Sequence, residues 1–168
     1  MPVASAANSG TFKVTTPNET DIVLTRLFDA PRQLVFDALT QPEHVRRWWG
    51  CLTEKHGVSV CEIDLRVGGA WRYVGFGPEG DYPAFYGTFQ VIDPPNRLVN
   101  TEFFEPYPDA GSNVTVDLTE EGGRTRMTVT ATYPSREVRD MVVSTGMEKG
   151  AAISYDRLED VLAALQRA

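Results

Sequence analysis

Cys51, His56 and Cys61 stand at a Cys-x4-His-x4-Cys spacing that would offer two soft sulfurs and an imidazole to a zinc ion. A fourth ligand is missing. The place where a knuckle needs another Cys is held by Trp48, and the second of the two histidines, His44, falls on a preceding helical stretch. Cys51 and Cys61 fall at a helix exit and in an extended run, where thiols act as small hydrophobes, so no metal is expected. Glu102 is the weak candidate for acid, base or anchor chemistry. In Leu98-Val99-Asn100-Thr101-Glu102-Phe103-Phe104 two phases are open. Either Leu98, Asn100, Glu102 and Phe104 point inward, or Val99, Thr101 and Phe103 do, leaving Glu102 as a solvated strand residue. The first phase would bury a carboxyl, raise its pKa and set an amide beside it. Asp64 and Arg66, two apart before Gly68-Gly69, read as a surface ion pair or turn brace. No Gly-x-Ser-x-Gly elbow occurs, and two histidines leave few routes to a nucleophilic triad. Val67-Gly68-Gly69 and Glu121-Gly122-Gly123 lie between extended runs and open no helix that could hold a phosphate, so no nucleotide or other cofactor is expected.

The elements that must position these residues are legible from periodicity and punctuation. Alternation from Phe12 toward Val14, pausing at Thr16-Pro17-Asn18 and resuming at Ile22, Leu24, Arg26 and Phe28, predicts a first strand. Pro31 and Pro42 suit first helical positions, and Gly50 suits the residue closing the second of two short helices. Trp48 and Trp49 sit at that closure, as core or as a ligand wall. Six further extended runs follow: Val58 to Leu65, Ala70 to Phe76, Phe85 to Ile92, Leu98 to Phe104, Val114 to Leu118 and Thr125 to Ala131. Turn residues divide them, including Pro106-Tyr107-Pro108-Asp109-Ala110-Gly111, as in an antiparallel meander. Ser135 can cap a helix carrying Val138, Met141 and Val142 and ending at Gly146. A longer amphipathic helix then presents Met147, Ala151, Tyr155, Leu158, Leu162 and Leu165, with charges mostly on its other side. The fold class is α+β, a long helix covering the concave side of a curved antiparallel sheet with a core or cavity between them.

Composition narrows the partners. The 168 residues suit one domain, placed at residues 11–168 behind a flexible N-terminal tail at residues 1–10, whose small polar side chains give a core nothing to hold. A net charge of −7 argues against nucleic acid, since Arg46-Arg47 is the sole basic cluster. No apolar run approaches the roughly 20 residues of a membrane span, and no secretion signal is visible, so a cytoplasmic protein with free thiols is expected.

Four motifs together resemble a known family: the stretch from Phe28 to Gly50, Asp64-Leu65-Arg66-Val67-Gly68-Gly69-Ala70-Trp71-Arg72-Tyr73, Asp93-Pro94-Pro95-Asn96-Arg97-Leu98-Val99, and Gly146-Met147-Glu148-Lys149-Gly150 with Asp156-Arg157-Leu158. The chain is similar to the family homologous to the activator of the heat-shock-protein-ninety ATPase, within the START-like or SRPBCC superfamily. The resemblance implies a helix-grip fold in which seven strands and two short helices grip the C-terminal helix around an apolar cavity. The superfamily binds lipids, sequesters antibiotics, cyclises polyketides, feeds oxygenases or stimulates a chaperone on one scaffold, so fold alone does not give activity. Under this reading Trp48, Trp71, Tyr73, Tyr86, Asn100, Glu102 and Phe104 are candidate cavity residues. Val116, Met127, Met141, Met147, Ala151 and Tyr155 complete the set. Family members commonly carry Trp where Ala151 follows Met-x-x-Gly, so either a neighbour such as Tyr155, Tyr73 or Trp71 repacks into the space or the cavity is enlarged there, to which Gly75 adds by withholding a side chain. The leading expectation is a small apolar or aromatic ligand. A cyclase- or hydratase-like enzyme using a buried Glu102 comes second. A chaperone-interaction role comes third, because the eukaryotic activator uses further regions that a lone domain with a short tail lacks. Edge strands of such a sheet offer a route to a homodimer.

Overall fold

The computed structural model describes residues 7–168. A short 3-10 turn, Ser9–Thr11, leads into β1 (Lys13–Thr15) and β2 (Asp21–Phe28). Two helices follow, α1 (Arg32–Thr40) and α2 (Pro42–Val45), Pro42 standing at the first helical position. Pro31 caps α1 rather than opening it. Seven more strands follow: β3 (Gly57–Ile63), β4 (Ala70–Gly77), β5 (Gly80–Asp81), β6 (Phe85–Asp93), β7 (Arg97–Phe104), β8 (Tyr107–Glu121) and β9 (Arg124–Thr132). They join one antiparallel sheet in the order β1-β2-β9-β8-β7-β6-β4-β3, with β5 beside β4. Among the described residues there are therefore nine strands where seven were expected. β1 and β5 are too short to show a period of two, and neither was expected as a separate strand. The expected turn at 106–111 is also largely strand, because β8 starts at Tyr107. Residues 108–111 have no partner in the β7 or β9 registers, which is why a proline and a glycine are tolerated there.

Ser135 accepts a hydrogen bond from the Val138 amide at 3.2 Å and caps α3 (Arg136–Ser144). Gly146, at φ 80°, then turns the chain directly into α4 (Met147–Arg167). The two halves of α4 do different work. Leu158, Val161 and Leu162 are buried with Phe28, Val35, Phe36 and Leu118 in a close-packed core. The first two turns, from Met147 to Tyr155, instead face open space above the sheet. No helix is long and apolar enough to cross a membrane among the described residues.

Arg26 occupies an inward position of β2 and is fully buried. It donates to Asp156 at 2.5 Å and to Glu159 at 3.4 Å, both on α4, and its guanidinium lies over the Phe28 ring. Glu159, expected on the wet side of the helix, is only 4% exposed and also accepts from the Asp29 amide at 2.9 Å. A buried guanidinium needs such a partner, which fixes the rotation of α4 against the sheet. Ala7 and Asn8, within the expected tail, join the same cluster: Arg26 donates to the Ala7 carbonyl at 2.8 Å, and Asn8 donates to Glu159 at 3.0 Å. Residues 1–6 lie outside the described residues.

Candidate functional site

The helical closure after α2 brings both indoles to one end of the grip. Trp48 is anchored by its ring N–H, which donates to the Ala38 carbonyl at 2.9 Å. Gly50 has φ 65° and donates its amide to Ser154 Oγ at 3.2 Å, tying the closure to α4. Trp49 packs edge-on against Tyr73 and Phe85, at 5.2 and 5.5 Å between ring centres. Trp48 is at once core and wall, 7% exposed and facing the space under α4.

That space is a cavity of about 500 Å³ between the sheet and the first half of α4. Its size falls in the range of small-molecule sites. Strand alternation builds the floor: Trp71, Tyr73 and Gly75 from β4, Val114 and Val116 from β8, and Met127 and Val129 from β9. Their neighbours turn outward into exposed ion pairs, Arg72 with Glu105, Arg97 with Asp117 and Arg126 with Glu121. Trp71 is fixed by its ring N–H, which donates to the Thr101 carbonyl at 3.1 Å. This crossing passes over Gly87, where any Cβ would sit 2.0 Å from the same oxygen. The roof is Met147, Gly150, Ala151, Ser154 and Tyr155. The cavity reaches the exposed Tyr82 beside Pro83.

The open phase of β7 resolves toward Leu98, Asn100 and Glu102, all of which line the cavity. Asn100 spends its amide N–H on the Thr101 carbonyl at 2.9 Å. Glu102 makes no hydrogen bond or ion pair with any described residue. Its remaining exposed surface faces the cavity, and burial pushes its carboxyl up to about 7. The phenol groups of Tyr73, Tyr133 and Tyr155 are within its electrostatic reach. Burial first, and the Glu102 charge second or third, hold all three phenols protonated: Tyr133 rises to about 12, and Tyr73 and Tyr155 rise further. Tyr133, Leu24, Leu39 and Phe85 belong to the same wall and were not among the candidates from sequence. Leu24 and Phe85 follow from the alternation of their strands; Tyr133 lies beyond the end of β9, where alternation gives no guide.

Three candidates lie elsewhere. Tyr86 alternates with Phe85 and Gly87, so it faces the outer side of the sheet and stacks on Phe103 at 5.5 Å. Phe104 lies past a register break between Glu102 and Phe104, stacks on Phe85 at 4.6 Å and does not line the cavity. Met141 is 40% exposed on α3. The inward face of that helix is set by Arg139, which donates to the Asn18 and Asp21 carbonyls at 2.6 and 3.1 Å, and a residue two further on points the opposite way.

The Cys-x4-His-x4-Cys residues do not gather. Cys51 Sγ lies against the Arg46 and Trp49 carbonyls, His56 pairs with Thr53 at 2.6 Å, and Cys61 is buried beside Val45 and Val58. Among the described residues no cluster of His, Cys, Asp or Glu is placed to hold a metal. Both thiols are free. Asp64 and Arg66 form an exposed ion pair at 2.9 Å.

Comparison with known proteins agrees with this architecture. A family model described as activator of Hsp90 ATPase homolog 1-like protein matches residues 29–163. A solved structure from Rhodobacter sphaeroides is similar at 27% identity and a TM-score of 0.82, covering 92% of this chain and 99% of that one. One from Mycobacterium smegmatis is 27% identical at a TM-score of 0.81, covering 91% and 98%. An AHSA1-like protein from Aeromonas hydrophila, 19% identical over 87% of this chain and 95% of that one, shares the fold at a TM-score of 0.64. No curated protein matches the chain. With the family model matching residues 29–163, most of its length, the chain belongs to the Hsp90 ATPase activator homologue family.

Proposed function

We propose that this protein binds a small, largely apolar or aromatic molecule between the sheet and the first half of α4. The observation that supports this most is the cavity itself. About 500 Å³ is bounded by indole, phenol, phenyl and aliphatic side chains, with a few polar groups converging on one region at Asn100 and Glu102. An apolar body would be held by burial of its surface, and a polar end would be oriented by Glu102.

A second reading draws on one specific observation. Glu102 is a carboxyl without a partner among the described residues, poised near neutrality and facing three protonated phenols, which is suitable equipment for moving a proton on a bound molecule. Cyclase- or hydratase-type chemistry would use it so. Binding is the broader claim, because it needs only the cavity.

Titration with N-phenylnaphthylamine, a neutral probe that brightens in apolar surroundings, tests the binding reading. The protein should bind one probe per chain. Ala151→Trp, which plants an indole in the roof, should abolish the signal while the far-ultraviolet dichroism stays unchanged. Equal probe binding by a folded Ala151→Trp protein would rule the cavity out as the site.

A further inference from the structure

The charge inside the cavity is one-sided. Glu102 is the only acid in its wall, and no Lys, Arg or His lines it among the described residues. Arg26, whose charge reaches Tyr155, is already engaged by Asp156 and Glu159. A carboxylate enclosed by apolar walls without a counter-charge is an expensive arrangement, and a ligand that supplied the counter-charge would relieve it. An anionic ligand would do the reverse, placing a second negative charge where nothing offsets the first. The surrounding rings add a preference of the same sign. Tyr73 lies 4.8 Å from Trp71 and 5.2 Å from Trp49, and Tyr155 lies 6.4 Å from Trp48, so ring faces and edges crowd the same space. The electron-rich faces of such rings attract cations. The net charge of −7 would favour the approach of a cation from solution.

Resting on the binding reading above, we propose that the occupant is an organic cation: an amine or quaternary ammonium on an apolar or aromatic body, its positive centre held by the Glu102 carboxylate beside the aromatic wall of Tyr73 and Tyr155. The groups facing Glu102 from the packed elements are Tyr73 of β4, Tyr133 after β9 and Tyr155 of α4, all neutral near physiological pH. Glu102 is therefore the single group whose charge decides the preference.

Three probes with one aromatic body separate the possibilities: naphthylmethylamine, naphthylmethanol and naphthoate, titrated calorimetrically at about pH 8, where Glu102 is ionised. The amine should bind at least about tenfold tighter than the alcohol, and naphthoate should bind weakest. Glu102→Gln should bring amine and alcohol to within about twofold of each other. A trimethylated quaternary analogue, whose charge is independent of pH, should lose affinity to the unaltered protein between about pH 8 and about pH 5 as Glu102 takes up a proton. That arm needs no variant and decides the matter even if Glu102→Gln does not fold. If the alcohol binds as well as the amine, or naphthoate binds best, the cation assignment is overturned and the apolar-ligand reading stands. If none of the probes binds, both fall.

Discussion

Replacing Glu102 by glutamine should change stability in a way that depends on pH, and both sign and size follow from the burial of this carboxyl. Its ordinary value of 4.5 is pushed up to about 7 in the folded protein by desolvation alone. An acid that titrates higher folded than unfolded holds its proton more tightly when folded. Its stabilising contribution is thus fully present below 4.5 and lost as the pH rises through about 7. Every tenfold difference in proton affinity between the folded and unfolded chain is worth about 1.4 kcal/mol, so at most about 3 kcal/mol is lost across the interval, and water admitted through the cavity mouth reduces that figure. Glutamine has nearly the same shape and no proton to lose. Glu102→Gln should therefore be more stable than the native chain near pH 8, by up to about 3 kcal/mol, relative to the difference between them near pH 4.5. For a chain of this size that is about 5–10 °C in the thermal midpoint. Guanidinium unfolding of both proteins across the pH range measures it. If the two stabilities run parallel from about pH 4.5 to pH 8, Glu102 is solvated and the account of the site is wrong.

Gly75→Val should weaken N-phenylnaphthylamine binding several-fold with little effect on folding. A Cβ there meets its nearest neighbours at 3.5 Å, ordinary contact, and the remaining atoms extend into the cavity. Arg26→Met leaves Glu159 buried without its cation and should lower stability by about 3 kcal/mol in urea, whereas adding Glu159→Met should restore most of it. Equal losses in the single and double variants would show that the pair does not hold α4 in place. Ser135→Ala removes the acceptor for the Val138 amide and should destabilise by about 1 kcal/mol in the same assay.

The parts of the fold legible in the sequence are those with strong local signals. Pro42, Ser135 and Gly146 mark helix ends by their own backbone chemistry, and the structure uses all three; α2 itself ends at Val45, and Gly50, at φ 65°, closes the turns that follow it. Long strands showed their inward faces by alternation, so Trp71 with Tyr73, and Met127 with Val129, appear on the cavity side. Other features depended on partners distant in sequence. The phase of β7 could not be read because both of its faces mix polar and apolar residues. It is set by β6 and β8 on either side; Phe104 keeps the face of Asn100 and Glu102 but is paired with Phe85 and stacks on that ring instead of lining the cavity. Arg26 was visible as a basic residue at an inward position, but its demand for a buried acid on the facing helix becomes evident only once Glu159 is seen beneath it. Tyr86 and Met141 were placed by residue type rather than by phase, and phase put each on the other side.

The most direct test of the central claim is a nitrogen-15 correlation spectrum of the protein with and without saturating N-phenylnaphthylamine. Amide shifts should concentrate at Trp71 to Gly75, Asn100 to Glu102, Met127 to Ala131 and Ala151 to Tyr155, the backbone that carries the cavity wall. Shifts confined to the outer depression around Tyr86, Thr88 and Phe103, with the cavity amides unmoved, would contradict it.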